Sequence, residues 1–502
     1  VANPPYVTPK DKALNDACRE RYSTCHRQYS LAVPFMQRLF QLARSGYGRD
    51  PNEAGFVGQI TANSFMKREF GKKLIEGYFA GRDGTPGVDL THVIDTSGAY
   101  IAGHGTPTVI LFGRNRPPVA KTIRAVMGIR GEPATPDDPA RGVVWTAILA
   151  QIDHPGSQSD FVSAVDSLRE LFHKHPWSIG GGGAAELKEQ LEETSDCHLC
   201  EVTDLIGFMV ITGEDNCLLV PEGTARRGRV GGYRSLGDGD DVRDWCCESE
   251  LVVLWPNTET GARRPCEEIV DHLGYLWPYR TSLKERKAFG IPVEEKGIPW
   301  WALREVYSDK LRTPLSIVFA FVATHNHFVL DRGGKVFKQS APVIKLPPEA
   351  TEDDHLGLLG LLNSSTGCFW MKQVFHDKGS TVDSKGARQT TIAFENFREF
   401  TGTGLLKYPL PESRPLSRVQ ALDALAQQLA ALSPAALLTA SLGVSGPLRS
   451  SLAAAHTQWR TSRQQMIALQ EELDWECYRL YALIEEDLRY HTEPPPIALG
   501  QR

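Results

Sequence analysis

The chain lacks any run of about eighteen consecutive apolar residues, the shortest stretch that usually crosses a bilayer as a helix. We therefore expect no membrane partner. It also lacks a start in which basic residues precede an apolar segment, so no signal peptide is recognisable. Cysteine is sparse, with 10 residues irregularly spaced over 502. Such spacing favours reduced thiols in a cytoplasmic protein over a scaffold held by disulfides.

Recognisable metal and phosphate-loop motifs are absent as well. Cys197 and Cys200 are followed far downstream by Cys246 and Cys247, an adjacent pair that lacks zinc-finger spacing. The glycine run 180–183 is not followed by the Lys-Ser/Thr of a phosphate loop, so we expect it to begin a helix. No repeat of the solenoid type is present. The sequence therefore predicts no metal site and no nucleotide-binding loop.

Charge is unevenly distributed. The chain as a whole carries 55 Lys and Arg against 61 Asp and Glu, a net charge of −6. Residues 1–130 nevertheless hold 18 basic against 10 acidic side chains, whereas the rest hold 37 against 51. Because binding to phosphates depends on local charge, this excess fits a surface that meets nucleic acid. Solvated helix faces are the alternative interpretation.

The segment Asn3-Pro4-Pro5-Tyr6 has the chemistry needed to methylate an exocyclic amine. The amino nitrogen of adenine is a poor nucleophile because its lone pair is delocalised into the ring. Hydrogen-bond acceptors on both of its N–H groups favour tetrahedral geometry, which returns the lone pair to the nitrogen. The carboxamide oxygen of Asn3 and the carbonyl of Pro4 supply two such acceptors, and the prolines stiffen the turn. Tyr6 offers a flat face for an extruded base. A Pro-Pro turn after a buried strand is the alternative.

The segments that follow come in a recognisable order. We predict a buried strand at 56–61, a helix at 64–79 capped by Asn63 and Ser64, a strand at 88–96, a loop at 97–106 and a strand at 107–114. Together with the tetrapeptide they resemble motifs IV to VIII of N6-adenine DNA methyltransferases. Three long runs, 175–193, 321–347 and 361–379, resemble the large adenine-specific methyltransferases of BREX phage-exclusion systems, the PglX type.

This resemblance covers nearly the whole chain and implies an S-adenosylmethionine-dependent DNA methyltransferase that acts on a flipped-out adenine in phage defence. In that family the glycine-rich cofactor loop precedes the tetrapeptide, whereas only Val1 and Ala2 precede it here. The residues that bind the cofactor are therefore unknown. The chain resembles a fragment truncated before motif IV, and we expect residues 1–502 alone to be inactive. Double-stranded DNA is the expected partner, with other phage-defence proteins as further partners.

Three regions follow from the pattern of the sequence. Residues 1–130 alternate strands and amphipathic helices, as in the later half of an α/β, Rossmann-like methyltransferase domain. Residues 131–142 have the composition of a linker. Residues 143–415 mix short strands with turns, and 331–335 should close a hairpin. The resemblance implies that this region is an α+β target-recognition domain. Residues 416–490 predict a helical spacer with one long helix packed on a partner helix.

Candidate DNA contacts are basic residues and flexible loops. Gly103, His104 and Gly105 fall where the family approaches the target nucleotide, although a plain hairpin turn fits as well. The run Ala225–Arg229 followed by Tyr233 and Arg234 combines basic, flexible and aromatic character. The full set of candidates, for each of which a solvated surface role is the alternative, is Lys10, Lys67, Arg68, Gly103, His104, Gly105, Arg226, Arg227, Arg229, Arg234, Lys335 and Lys338, followed by Lys372 and Lys378.

Two other functions remain open on the sequence. A type IIG restriction-modification protein shares this order of catalytic and recognition regions but carries a nuclease domain ahead of them. Alternatively, the chain is a DNA-binding or protein-docking module without catalysis. DNA binding without methylation would favour the second of these, and activity restored by an upstream half would favour the enzyme.

Overall fold

A computed structural model describes residues 1–82, 84–103, 105–228, 230, 232–243, 245–288, 290–378, 396–440, 449–490, 492 and 494–497. The fold is mixed α/β. Two compact units are formed, one by Val1–Gln190 with Lys372–Glu399 and the other by Leu191–Met371 with Phe400–Arg502. The described helices are α1 Lys12–Arg21, α2 Ala32–Leu42, α3 Ser64–Lys67, α4 Val143–Gln151, α5 Ala184–Glu193, α6 Leu199–Val202, α7 Asp215–Leu218, α8 Glu222–Arg227, α9 Val270–Leu276, α10 Arg280–Glu285, α11 Glu352–Asn363, α12 Ser365–Val374, α13 Gly402–Leu405, α14 Leu416–Ala431, α15 Pro434–Ala440 and α16 Arg449–Leu480.

The described strands are mostly short outside the first unit. They are β1 Phe56–Ala62, β2 Asp89–Asp95, β3 Thr108–Arg114, β4 Thr122–Gly128, β5 Ser157–Gln158, β6 Val162–Leu168, β7 Cys197–His198, β8 Leu205–Gly207, β9 Val210–Ile211, β10 Leu219–Pro221, β11 Tyr233–Gly237, β12 Val242–Arg243, β13 Cys246–Cys247, β14 Leu251–Leu254, β15 Lys287–Ala288, β16 Ile291–Pro292, β17 Glu305–Val306, β18 Ser316–Phe319, β19 Val322–Ala323, β20 Phe328–Asp331, β21 Lys335–Phe337, β22 Val343–Lys345, β23 Arg398–Glu399 and β24 Pro409–Leu410.

The first unit is built on one mixed sheet with the strand order β1-β3-β2-β4-β6-β5. β2 and β4 run parallel, whereas β3 is antiparallel to both β1 and β2, and β6 is antiparallel to β4. β1, β2 and β4 therefore point the same way, and their carboxyl ends meet at one edge of the sheet. The predicted strands at 56–61, 88–96 and 107–114 are confirmed as β1, β2 and β3.

The larger of two hydrophobic clusters in this unit lies on one face of the sheet. Trp177, which is 2% exposed, stacks on Phe79 with 5.9 Å between ring centroids and meets Phe65 and Phe172 edge-on. Helix α2 adds an apolar face to the same cluster. Its Val33, Met36 and Phe40 positions follow the helical repeat in the sequence, so the helix packs these side chains inward.

The predicted continuous helix at 64–79 is wrong. Only Ser64–Lys67 is α-helical, Glu69–Gly71 is a 3-10 turn and Lys73–Phe79 is a π-helix. The side chain of Asn63 makes no cap hydrogen bond. At Gly71 a β-carbon would lie 1.8 Å from the carbonyl oxygen of Phe65, so the chain turns more tightly there than a regular helix with ordinary side chains allows.

The sheet does not end near residue 130, contrary to the predicted domain boundary. β6 pairs along its whole length with β4, from Thr122 opposite Leu168 to Gly128 opposite Val162. Helix α4 packs Val144 and Ile148 beside these strands. The predicted linker 131–142 is also bound into the unit, because the buried Glu132 carboxylate accepts from the amides of Val143 and Val144 at 2.6 and 3.0 Å.

The second unit contains two four-stranded sheets, with the orders β10-β14-β11-β21 and β20-β18-β22-β8. Residues 331–335 do form a tight turn, with Gly333 and Gly334 at φ of 100° and 92°. The predicted hairpin is nevertheless wrong, because β20 pairs with β18 whereas β21 pairs with β11. The turn therefore carries the chain from one sheet to the other.

A long helix packed on a partner helix is confirmed in the second unit. α16 extends over 32 residues and packs against α14. Arg418 of α14 bonds Glu476 of α16 at 2.7 Å, and Ser462 bonds Gln428 at 3.2 Å. Among the described residues, no helix has both the length and the apolar character that a membrane crossing requires.

Candidate functional site

The tetrapeptide lies at the carboxyl edge of the first unit's sheet. Ala2 forms a parallel bridge to β1, in which its amide donates to Gly58 at 3.0 Å and its carbonyl accepts from Ile60 at 3.1 Å. The chain start therefore runs beside β1 in the same direction. Asn3 leaves the sheet where β1, β2 and β4 also end, which is the edge where open α/β sheets bind ligands.

Within the tetrapeptide, Pro4 is buried while Asn3 and Pro5 are exposed. Tyr6 is partly buried against the core of the unit, and this desolvation raises the pKa of its phenol. Its hydroxyl donates to the carboxamide oxygen of Asn3 at 2.6 Å. Val7, the next residue, is also held in place, because its carbonyl accepts a hydrogen bond from the amide of Leu31 at 2.9 Å. The acceptor oxygen of Asn3 is thus oriented by its own neighbour.

The loop that contains Gly103 and Gly105 reaches the same edge, because it joins the end of β2 to the start of β3. Gly103 has a φ of 70°, a conformation that favours glycine. The amide of Asn63, directly after β1, donates to Pro107 at 2.9 Å and ties this loop to the β1 terminus. His104 lies outside the described residues, so its predicted contact stays a prediction.

Sequence reasoning missed two buried polar side chains of β1 and the place of Asn63 directly after the strand. Gln59 and Thr61 are buried, at 1% and 0% exposure, and project from the same face of the strand. Neither their side-chain polar atoms nor the amide oxygen of Asn63 has a hydrogen-bond partner in the described part of the chain. The signal in the sequence is the polar residue at alternate positions of an otherwise apolar strand that ends beside Asn3.

Lys67 and Arg68, both predicted to contact DNA, bind the chain itself. The ammonium of Lys67 donates to the carbonyls of Lys372 and Phe375, each at 3.3 Å, and its burial lowers the pKa of the amine to about 8. Arg68 bonds Glu399 at 2.8 Å. Burial acts to raise the pKa of Glu399, but Lys378, which also bonds it, and Arg68 together lower it.

The basic run near residue 226 is helical, not flexible. Arg226 and Arg227 end the six-residue helix α8, whose Ala225 is buried. Arg226 bonds Glu222 one turn earlier at 2.7 Å, a pair in which both side chains are about half exposed. Arg227 is exposed, and no described acidic residue pairs with it. Arg229 lies outside the described residues.

The structure brings together two candidates that are far apart in sequence. β11 and β21 pair in parallel with Ser235 opposite Lys335, which places Arg234 next to Lys335. Arg234 lies over the ring of Trp255, 5.0 Å from its centroid, and pairs with Glu259. Lys335 lies 3.7 Å from Asp331. Both residues line one pocket.

The remaining candidates are separate from this pair. Lys338 bonds Asp215 at 3.2 Å and lies 3.6 Å from Asp238, so carboxylates already hold it. Lys10 is exposed just before α1, whose first turn is capped by Asp11.

In the part of the chain that is described, no three His, Cys, Asp or Glu side chains lie close enough to hold a metal ion. All ten cysteines are free thiols.

Comparison with known proteins gives the family. Residues 1–79 match the family model of the Eco57I restriction-modification methylase. Over its whole length the chain is 46% identical to the adenine-specific methyltransferase PglX of Streptomyces coelicolor. It spans 42% of the length of that relative.

Two solved structures of restriction-modification enzymes are similar but distant. The type IIL enzyme MmeI in complex with DNA has a TM-score of 0.49 at 12% identity, covering 96% of this chain and 57% of MmeI. The type IIG restriction endonuclease BpuSI has a TM-score of 0.33 at 11% identity, covering 95% of this chain and 54% of that protein.

Proposed function

We propose that this chain, which belongs to the PglX type of adenine-specific methyltransferases, supplies the adenine-binding side of a site that methylates N6 of adenine in DNA. The observation that carries the proposal is the place of Asn3 to Tyr6. The tetrapeptide emerges at the carboxyl edge of the sheet, with the carboxamide of Asn3 exposed to solvent and the ring of Tyr6 fixed against the core.

At this edge the residues act on the amino group of the base. The carboxamide oxygen of Asn3 and the carbonyl of Pro4 accept its two N–H bonds, which draws the nitrogen toward tetrahedral geometry and frees its lone pair for attack. Tyr6 stacks on the extruded base. The protein thus contributes position and electrostatics, and a well-oriented approach contributes several kcal/mol.

The hydroxyl of Tyr6 occupies the oxygen of Asn3 that the amine would use. An adenine amino group that enters the site therefore exchanges one hydrogen bond for another at an oxygen that is already oriented. Because the bond joins residues three apart on an exposed turn, breaking it costs little, about 1 kcal/mol. The arrangement keeps the acceptor aimed without burying an unsatisfied group.

S-adenosylmethionine supplies the methyl group for this chemistry when it is bound. Asn3 and Pro5 are exposed at this edge of the sheet. They are assigned to the adenine alone.

Double-stranded DNA is the partner, and phage defence of the BREX type is the setting. The exposed candidates for DNA contact are Lys10, Arg226 and Arg227, joined by Arg234 and Lys335 at one pocket. The loop at Gly103 and Gly105 allows close approach of a nucleotide. Lys67, Arg68 and Lys338 bond internal partners and are removed from the proposed DNA surface.

The decisive experiment replaces Asn3 in the whole protein that contains this chain. Asn3→Ala should lower the single-turnover rate of methylation by roughly 100-fold, as for loss of one group that stabilises developing charge. The dissociation constant for duplex DNA should change by less than about threefold, because the amide acts on the reacting nitrogen. Tyr6→Phe keeps the ring and removes only the hydroxyl, so its rate should fall much less.

Asn52→Ala is the matched control, since Asn52 is an exposed asparagine of the same unit away from this edge. Equal losses of rate and affinity in Asn3→Ala, or no loss of rate, would contradict the assigned role. Single-molecule sequencing of DNA from a host that carries the intact gene would reveal the modified base. Plaque counts on the same host, with and without Asn3→Ala, would test the role in phage defence.

A further inference from the structure

A strongly basic pocket of about 240 Å³ lies in the second unit, far along the chain from Asn3. It opens between the turn after β20, the segment 310–316 and the end of β22. Five cationic side chains line it, namely Arg234, Lys310, Arg312, Lys335 and Lys345. Two carboxylates, Glu259 and Asp331, are the acidic side chains of the same lining.

Several polar side chains at the base of the pocket are deeply buried. Lys345 is 2% exposed and Lys310 is 8% exposed. The ammonium of Lys345 donates to the carbonyls of Thr313 and Leu315 at 2.6 and 2.9 Å, which uses two of its three N–H bonds. Ser316 is 1% exposed, and no described group bonds its hydroxyl. Donors within the pocket are therefore left for another acceptor.

The charges of the pocket do not balance. Asp331 lies 3.7 Å from Lys335 and is the buried carboxylate nearest to these amines. Lys310 has its own partner, Asp309, at 2.9 Å, and Arg234 pairs with the exposed Glu259.

Arg312 is exposed at the mouth, and no described carboxylate pairs with it. The five cations therefore face three carboxylates, with Asp309 included. Because buried charge is costly without a counter-charge, an anion that enters the pocket would be stabilised.

We propose that this pocket binds a phosphate-type oxyanion. Several converging ammonium and guanidinium donors, with a hydroxyl among them, suit a group that presents many acceptor oxygens around one centre. The mouth is open at Gly334, where an added β-carbon would meet nothing within 4 Å. The anion is either a phosphodiester of the DNA backbone, in which case the assignment rests on the proposed function, or a free phosphate ester.

The test compares two pairs of charge-removing substitutions in the full chain. Arg312→Gln with Lys335→Gln removes the two cations nearest to solvent, and Arg312→Gln alone is a second variant that changes only an exposed side chain. The matched control, Lys287→Gln with Lys407→Gln, removes two exposed lysines of the same unit outside the pocket. Circular dichroism and thermal melting establish that each variant is folded.

Phosphate binding and the salt dependence of DNA binding are measured for each variant. Phosphorus NMR with inorganic phosphate should show line broadening by the wild-type chain and the control, and loss of that broadening in the double variant. Fluorescence anisotropy with duplex DNA over a range of KCl should show a slope of log K against log salt that is smaller by about one to two in the double variant. The control should keep the wild-type slope.

The two measurements separate the sources of the anion. Loss of phosphate binding together with a reduced slope, or a reduced slope alone, identifies the DNA backbone. Loss of phosphate binding with an unchanged slope identifies a free phosphate ester.

The proposal is overturned if the wild-type chain does not broaden phosphate and the double variant keeps the wild-type DNA slope. It is also overturned if the double variant broadens phosphate as the control does and keeps that slope. Failure to methylate DNA would alter neither measurement, so it counts against the proposed function alone.

Discussion

The bond between Tyr6 and Asn3 shows how one short segment can orient the amide to which we assign the catalytic role. The hydroxyl donates to the carboxamide oxygen, so the amide oxygen and nitrogen have defined positions. The two neighbouring prolines limit the turn to few conformations, and Pro4 is buried. Interactions within four residues therefore orient the carboxamide oxygen of Asn3. The position of the segment at the edge of the sheet determines where this oxygen lies in the molecule.

A second residue-scale effect concerns Lys345, whose burial lowers the pKa of its amine from 10.5 to about 8. Below pH 8 the amine is protonated in both the folded and the unfolded chain. Between about pH 8 and 10.5 only the unfolded chain keeps the proton, so the free energy of unfolding rises with pH in this range. The gap between the two pKa values corresponds to roughly 3 kcal/mol.

We therefore expect the stability of wild type relative to Lys345→Met to increase as pH rises from about 8 to 10. Urea denaturation of both proteins at several pH values measures this difference, and tyrosine and cysteine titrations cancel because they are common to both. Lys407→Met, at an exposed lysine of the same unit, is the control for the loss of one lysine charge. A difference between wild type and Lys345→Met that stays constant over this pH range would show that the amine of Lys345 is not desolvated.

At the scale of elements, buried ion pairs stabilise the edge of the first unit's sheet that lies opposite to Asn3. Asp89 begins β2, is 2% exposed, and bonds Arg116 after β3 at 2.9 Å and Arg169 after β6 at 3.0 Å. Arg169 also donates to the carbonyls of Ala120 and Leu90. One carboxylate thus joins the ends of three strands and fixes the sheet that positions the tetrapeptide.

Asp89→Asn should lower the free energy of unfolding by about 3 to 5 kcal/mol, because two guanidinium groups lose their buried counter-charge. Asp166→Asn is the control. It breaks a comparable bond to Arg124 of 2.7 Å, but the side chain of Asp166 is 42% exposed, so the loss should be at most about 1 kcal/mol. Urea denaturation of each variant gives both values, and equal losses would rule out a special role for Asp89.

The sequence predicts those elements whose signal is local. β1, β2 and β3 are short segments rich in apolar and β-branched residues between turn residues, and α16 shows helical spacing over many turns. β6 was missed because it follows a stretch rich in proline, glycine and aspartate that looks like a linker, and only its pairing with β4 shows otherwise. The hairpin at 331–335 was wrong because each flanking strand finds its partner in a different sheet, which no local pattern encodes.

The residues of the candidate site also differ in how far the sequence alone predicts them. The identity and chemistry of Asn3 to Tyr6 are readable because the four residues are adjacent. By contrast, Lys67 and Lys335 look alike in the sequence, although Lys67 binds carbonyls some 300 residues away and Lys335 lines a basic pocket. Burial and partners of a long charged side chain depend on tertiary contacts, so composition alone predicts that DNA contacts exist but not which cations make them.

For the whole molecule, a net charge of −6 means that the proposed DNA binding would depend on the few cations without a strong internal partner. The helix α8 presents two of them. Arg227 is exposed with no described acidic partner, and Arg226 interacts with Tyr233 and with Glu222 in a half-exposed ion pair that contributes little in water. Both are free to exchange solvent or a weak partner for a phosphate.

Arg226→Ala with Arg227→Ala should therefore reduce the slope of log K against log salt by about one to two, and weaken binding most at low salt, because fewer counterions are released from the DNA. Lys287→Ala with Lys407→Ala removes the same charge from the same unit and tests whether net charge alone matters. Anisotropy titrations of duplex DNA over a range of KCl measure both slopes. If the two pairs reduce the slope equally, the long-range charge of the chain and not the end of α8 governs binding, whereas an effect confined to the arginine pair places this helix end against the phosphate backbone.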